Sequence, residues 1–410
     1  MHSFDINAWT VIAWVLAAAW VAVVALFAQG IRKRSLLRPL TDRCEPDQLP
    51  RLSVIVAAKN EADCIESCIR SLFRQDYPQL QVIAVNDRST DDTRDILDRL
   101  ALEFVDRLHV VHVASLPAGW FGKPHALTVG MQSATGSLVC FTDADCVFQA
   151  TSAIRTAVVE LQRRQLQFFS VAARYAMTSL RECVTVPCCS EMLMTWLRPE
   201  RVEDPRWPDA FANGAFILVQ REQFDQIGGW GSVKTTISED LQLARLAKRA
   251  GLRVGIAAAD GFYETRSYAT TRDSWNGWSR ILKGTLTPAQ LMITVMRMLI
   301  LFALPLGAVL TGSLLTLCGQ APRWFTPAAA TGFAIAFGLR CVLDVAMFRL
   351  VGAPVAAVVL APLGRLFVMA ASMRALFSHA GWVHTHWRGA TYSAGRLVMS
   401  QSVTPKSPIR

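Results

Sequence analysis

The stretch Leu138 to Phe148, LVCFTDADCVF, constrains the fold most. An apolar run of strand character breaks off at two carboxylates, Asp143 and Asp145, and apolar residues resume at once. Two Asp at i and i+2 on a strand end point to the same side of the pleat. Their repulsion calls for an opposing charge. A hard divalent cation such as Mg²⁺ or Mn²⁺, carrying substrate phosphates, supplies it. The carboxyl ends of strands in an open α/β sheet are also where ligands sit. The competing reading is a strand that runs into an acidic turn, so the neighbouring segments must decide.

The preceding segments build such a sheet. Leu52 to Ala58 (LSVIVAA) has the β-branched content of a buried strand and ends in Lys59-Asn60-Glu61. A helix is expected over 62–75. A second strand, Leu80 to Val85, ends in Asn86-Asp87, and a helix over 92–104 leads to a third strand, Leu108 to Val113. This β-α-β-α-β order predicts a parallel sheet with right-handed crossovers. A loop over 116–123 and a helix over 124–134 then reach the strand with the Asp pair. Asn60, Glu61, Asp87, Asp143 and Asp145 thus all fall at strand ends, which favours a site over a bare acidic turn. Further on, helices are expected over 151–166 and 238–250, and strands at Phe168–Tyr175, Phe211–Val219 and Leu252–Ala258. Ser238 suits an N-cap, and Glu239 and Asp240 suit the first turn that follows. Gly251 is placed to stop that helix. Cys188 to Leu197 is apolar and reads equally as a core helix, a membrane-surface segment or an acceptor groove.

Membrane segments flank this domain. Trp9 to Ala28 is an almost unbroken apolar run of 20 residues, followed by Arg32-Lys33-Arg34. That length spans a bilayer. Positive charge after the run, and none before it, points to an anchor and not a cleaved signal, with the next domain in the cytoplasm. Segments 291–318, 327–348 and 354–377 are each long enough to span, the last interrupted by Pro362, Arg365 and Arg374. The basic tail favours a C-terminus inside. The expected organisation is an anchor over 1–30, a basic linker over 31–50, a cytoplasmic α/β domain over 51–284, two to three spans over 285–378 and a basic tail over 379–410. The expected location is the inner (plasma) membrane.

Composition fits this plan. The chain is 52% hydrophobic with a formal net charge of +10, as for a membrane protein with a basic rim facing anionic lipid. No nucleic-acid-binding motif occurs, so no nucleic-acid partner is expected. The ten cysteines form no CxxC pair, and reduced, buried thiols are expected.

Six motifs then occur in one order: VIVAAKNEAD (54–63), VNDRSTDDT (85–93), LPAGWFGKPHAL (116–127), FTDAD (141–145), NGAFILVQREQFDQIGGW (213–230) and ISEDLQLA (237–244). From Leu52 to Gly284 the chain resembles the membrane-bound family 2 glycosyltransferases, inverting enzymes of GT-A fold. It is most similar to their lipid-directed branch, the hopanoid-associated, carotenoid and ceramide glycosyltransferases. The resemblance implies a nucleotide-diphosphate sugar donor, UDP-linked in that branch, a lipid hydroxyl acceptor and a divalent cation. It implies that Asp87 holds the nucleobase and ribose with Asn60 and Glu61 beside it. Asp143 faces the nucleotide sugar, Asp145 ligates the cation with Asp143, Lys123 lies near the phosphates, and Asp240 is the general base with Glu239 next to it. Such a base takes the acceptor's proton while the cation neutralises the departing diphosphate.

The last motif departs from the family. A Gln/Arg-x-x-Arg-Trp signature is common there, and this chain has WNGWSRILKG over 275–284. Arg280 and Lys283 could clamp the diphosphate, and Trp275 or Trp278 could stack on a sugar or acceptor. A membrane-interface belt of Trp and Arg is the equal alternative. The tail, His384 to Tyr392, resembles the Trp-Arg-Gly-x-x-Tyr ending of lipid-directed members. A processive polysaccharide synthase and a non-catalytic membrane scaffold are the competing readings. DADCV also fits a phosphatase DxDxV motif, but three strands precede it and no Gly-Asp-x-x-x-Asp follows.

Overall fold

The computed structural model describes residues 7–33, 35–40, 49–172, 174–266, 268, 270–383, 385–387, 390–393 and 396–400. Residues 41–48 of the expected linker, and His384, Arg388 and Gly389 of the tail motif, lie outside the described residues.

In chain order, helix α1 (Ala8–Lys33) precedes a short strand, β1 (Leu36–Leu37). Then come β2 (Leu52–Ala58), α2 (Ile65–Phe73), β3 (Leu80–Asp87), α3 (Thr93–Glu103), β4 (Leu108–Val113), α4 (Gly122–Ser133) and β5 (Leu138–Asp143). Next follow β6 (Cys146–Phe148), α5 (Ala153–Arg163), β7 (Phe168–Ala172), β8 (Arg174–Ala176) and α6 (Leu180–Leu197). β9 (Phe216–Gln220), α7 (Arg221–Gln226), α8 (Glu239–Arg249), β10 (Val254–Ala259), β11 (Tyr263–Arg266) and α9 (Thr271–Thr285) complete the α/β part. Four helices follow: α10 (Pro288–Met298), α11 (Leu304–Leu317), α12 (Pro327–Val351) and α13 (Ala361–His379).

The chain divides into two compact units. The α/β unit is built on an eight-stranded sheet in the order β1-β10-β7-β9-β5-β2-β3-β4. β2, β3, β4 and β5 pair in parallel, as their β-α-β spacing demands, and β9 alone runs antiparallel, between β5 and β7. The two faces carry separate cores. Ile65, Cys68, Ile69 and Leu72 recur at helical spacing and give α2 one apolar face on Val54, Val56 and Cys140. On the opposite face, Ala126, Leu127, Leu243, Ala244 and Ala247 cover Ile55, Ile83, Val85 and Phe141. Burying a large apolar side chain of this kind contributes about 1.5–3 kcal/mol. Phe141, Phe224 and Trp230 pack as tilted and edge-on pairs with centroids 5.0–6.0 Å apart, which pins the segment between β9 and α8 beneath β5.

The helical unit comprises α1, most of α6, and the helices from α10 into α13. It takes in residues 177–196, which lie within the stretch assigned above to the α/β domain. Among the described residues three helical segments are long and apolar enough to cross a membrane: Ala8–Lys33, Pro288–Leu317 and Val355–His379. The expected span at 327–348 is helical too, as α12, but it carries Arg340 and Asp344 and stands outside that group. α1 lies close against α12, because a Cβ on Gly332 would sit 2.8 Å from that of Ala13. Trp20 donates its indole N–H to the Leu301 carbonyl at 2.8 Å. Within this unit four charged side chains meet: Glu191 of α6, Arg340 and Asp344 of α12, and Arg365 of α13. Arg340 pairs with both Glu191 oxygens, the Nη1 contact being 2.5 Å.

Candidate active site

Strand register sets the site. Ala57 of β2 lies opposite Asp143 of β5, and Ala58 lies opposite Asn86 of β3. The carboxyl ends of three neighbouring strands therefore align, which brings Asn60, Glu61, Asp87, Asp143 and Asp145 to one edge. Within FTDAD the strand ends at Asp143, and Ala144-Asp145 form the turn into β6. Ala144 is buried, while Asp143 and Asp145 are half-exposed, so the turn and not the pleat presents the second carboxylate. The antiparallel β9 begins at Phe216 opposite Thr142. The residues before it, Asn213 to Ala215, are thereby delivered to the same edge.

A lysine joins the two acidic segments. Lys123 Nζ lies 2.5 Å from Asp143 Oδ1 and 3.5 Å from Glu239 Oε1, at the start of α8. Asp240 is held by backbone: the Gly214 N–H donates to Oδ2 at 2.9 Å and the Leu241 N–H to Oδ1 at 2.7 Å. A side chain at Gly214 would crowd both charges. Its Cβ would lie 3.0 Å from Lys123 Nζ and 3.2 Å from Asp240 Oδ2. Arg280 donates to the Ile237 carbonyl at 3.3 Å, and its charge is felt at Glu239.

These contacts set the protonation balance. Burial raises the Asp240 carboxyl above its usual range, against the Lys123 charge and the two backbone N–H groups. Burial likewise raises Glu239, against Lys123, with Asp240 adding to the rise. Burial works against the Lys123 ammonium, but Asp143, Glu239 and Asp240 outweigh it and hold it above its usual range.

The other half of the edge is a braced loop. Asn60, at φ +55, accepts the Thr90 N–H at 2.8 Å, and the Glu61 N–H donates to Thr93 Oγ1 at 2.8 Å. Asp87 is buried and accepts two hydrogen bonds from Arg88, at 2.7 and 2.9 Å. The amino end of α4 serves both halves: Gly122 lies against Asp87, and the next residue, Lys123, reaches Asp143.

Among the described residues no set of three His, Cys, Asp or Glu side chains forms a metal cage. Mg²⁺ and Mn²⁺ bound through substrate phosphates need only one or two carboxylates. The oxygen donors of Asp143 and Asp145 fit such a hard cation. The thiols nearby are protonated by burial, Cys68 and Cys146 being pushed well up.

Three expectations change. Ser238 stands at the N-cap of α8 but makes no capping hydrogen bond. Its hydroxyl lies where a Cβ on Gly284 would fall, so α9 crowds it. Lys283 is buried and donates to Ser378 Oγ at 2.7 Å, which removes it from the diphosphate clamp. Trp278 is buried edge-on to Tyr268 and is not a stacking platform, while Trp275 is half-buried. The residues not foreseen are Gly122, Gly214 and Arg88. The signal for the first two was the quoted motifs FGK and NGA, read for their charged and strand-forming members and not for their glycines.

The mostly parallel sheet with its acidic carboxyl edge is a GT-A-like fold. The mannosyltransferase of Pyrobaculum calidifontis, solved with GDP-mannose and Mn²⁺, shares it with a TM-score of 0.54 and 22% identity over 90% of this chain and 99% of that one. Residues 53–227 match the Glycosyl transferase family 2 model and 208–369 match Glycosyl transferase family group 2. These two stretches are thus similar to glycosyl transferase family 2 domains. It is 33% identical to the beta-monoglucosyldiacylglycerol synthase of Nostoc sp. (strain PCC 7120) over 48% of this chain and 40% of that protein. To the 4,4'-diaponeurosporenoate glycosyltransferase of Staphylococcus aureus (strain USA300) it is 25% identical over 56% of this chain and 60% of that protein. It therefore spans between two and three fifths of these curated relatives.

Proposed function

We propose that the protein transfers a sugar from a nucleotide-diphosphate donor, UDP-linked, to the hydroxyl of a membrane lipid, with inversion at the anomeric carbon. The observation that carries this reading is the Lys123 bridge from Asp143 to Glu239, beside the backbone-held Asp240. The relatives whose names specify a diacylglycerol or a carotenoid acid support the lipid acceptor. The apolar helices support a membrane setting, with the α/β unit on the cytoplasmic side.

Asp240 is the general base. Its raised pKa suits proton abstraction better than an ordinary aspartate, because a stronger base matches the acceptor hydroxyl more closely. The Gly214 and Leu241 N–H groups fix its orientation. Glu239 and Asp143 hold Lys123, whose ammonium faces the diphosphate. Asp87 holds the nucleoside, with Asn60 and Glu61 bracing the loop beside it, and Arg280 adds positive charge at the start of α8. Asp145, with Asp143, would hold a divalent cation, which supplies charge neutralisation for the departing diphosphate. One in-line displacement needs one base and no nucleophilic side chain.

The test is UDP release from a panel of UDP-sugars by the detergent-purified protein with Mn²⁺ or Mg²⁺, with and without a lipid extract. Lipid-dependent release is expected, abolished by Asp240→Asn and by Asp145→Ala. A polymeric product formed without lipid would overturn the acceptor. No turnover, with equal nucleotide binding by wild type and Asp145→Ala, would overturn the enzyme.

A further inference from the structure

We propose that Arg88 reads the donor's nucleobase together with Asp87. This rests on the role given to Asp87 above. Arg88 follows Asp87 at the end of β3 and sits at φ +56, the region that favours glycine. A side chain persists there when its surroundings fix it, and such outliers gather at ligand sites. Here the fixing contact is the guanidinium. Its Nε donates to Asp87 Oδ1 at 2.7 Å, and one terminal nitrogen donates to Oδ2 at 2.9 Å. The two side chains are 15% and 5% exposed, so this planar, two-point pair is held largely out of water. Gly122 closes the third side. A Cβ there would stand 2.7 Å from Asp87 Oδ2 and 3.2 Å from the Arg88 guanidinium.

The remaining terminal nitrogen of Arg88, Nη1, makes no hydrogen bond to any described residue. A guanidinium has five N–H donors and no acceptor, whereas a carboxylate has about four acceptor positions. The pair therefore keeps both spare donors and spare acceptors, locked side by side. A base that offers an N–H beside a carbonyl oxygen complements it, the N–H facing Asp87 and the carbonyl facing Arg88. Uracil has that pattern. Cytosine reverses it, with a ring nitrogen acceptor beside an amine. With ribose and diphosphate held elsewhere in the site the base cannot slide, so cytosine sets donor against donor and acceptor against acceptor. Asp87 alone would tolerate cytosine, because its carboxylate can accept from the amine, whereas Arg88 cannot donate to that amine.

The experiment measures UDP and CDP binding to the detergent-purified protein with Mg²⁺, by calorimetry, for wild type, Arg88→Gly and Arg88→Lys. Glycine suits the positive φ, so Arg88→Gly keeps the backbone, and the thermal midpoint checks this. Wild type is expected to prefer UDP by about tenfold or more, the worth of one charge-assisted hydrogen bond. Arg88→Gly is expected to lose most of that preference, and Arg88→Lys to keep part of it. A purely structural Arg88 would weaken both nucleotides alike and leave their ratio unchanged, which overturns the proposal. If the ratio is unchanged while Asp87→Asn abolishes UDP binding, the donor reading stands and Arg88 alone falls. Wild type that binds neither nucleotide overturns both.

Discussion

Replacing Lys123 by Met removes a cation that bridges the two acidic segments. Asp143 loses a 2.5 Å partner and Glu239 a 3.5 Å partner. Asp240 loses a charge that now opposes the effect of burial on its carboxyl. An opposite charge within about 4–6 Å lowers a carboxylate by about 1–3 pH units. The Lys123 side chain is 32% exposed, so water screens part of its field. The sign follows from the proposed role. A general base works deprotonated, so the rate falls as pH drops through its pKa. In wild type that acid limb lies above the range of an ordinary aspartate, because burial raises Asp240. In Lys123→Met it moves further toward neutral pH, because the charge that lowers it is gone. The assay is UDP release at saturating donor and lipid across the acid and neutral range, so that weakened donor binding does not enter. A folded Lys123→Met protein whose acid limb stays in place, or moves to lower pH, refutes Asp240 as a base balanced by Lys123.

Three other substitutions test the packing around the site and the helical unit. Gly122→Ala places a methyl 2.7 Å from Asp87 Oδ2; overpacking of this kind costs about 1–3 kcal/mol, and a donor KM raised about 5- to 100-fold with a smaller change in kcat is expected from steady-state kinetics. Arg340→Met leaves Glu191 and Asp344 with too little opposing charge; breaking a buried ion cluster costs about 3–5 kcal/mol, and a lower thermal midpoint in detergent is expected, partly restored when Glu191 is also replaced by Gln. Gly332→Val drives a branched side chain into Ala13 of α1, and a loss of thermal stability with little change in nucleotide binding by the folded fraction is expected.

The frame of the site was legible because local rules wrote it. LSVIVAA and LVCFTD are short β-branched or apolar runs that end in polar residues. Asp143 was legible as a strand end, whereas Asp145 sits in the turn that follows and owes its place to that turn. The start of α8 was legible for a similar reason, since acidic residues gather in a first helical turn. Ser238 misled because capping preference is a local average, and the crowding by Gly284 comes from a residue 46 positions away. Lys283 misled in the same way: its charge suggests a phosphate, but its partner, Ser378, lies in α13.

The contacts that make the edge a site come from pairings that sequence does not order. That FILVQ is a strand follows from its residues. That it enters the sheet antiparallel, between β5 and β7, does not, because β-branched runs suit either direction. Yet this direction is what sends Asn213 and Gly214 to the carboxyl edge and lets the Gly214 N–H hold Asp240. A parallel β9 would place its first residues at the opposite end of β5 and leave Asp240 without that donor. The two glycines carry the same lesson. Gly122 and Gly214 have unexceptional backbone angles, and what excludes a side chain is a carboxylate or ammonium from another segment within 3.2 Å. A glycine required by its own φ announces itself as a turn. One required by a distant charge shows only when the strands are in register, so glycine beside lysine in FGK and beside asparagine in NGA acquires its meaning from the sheet.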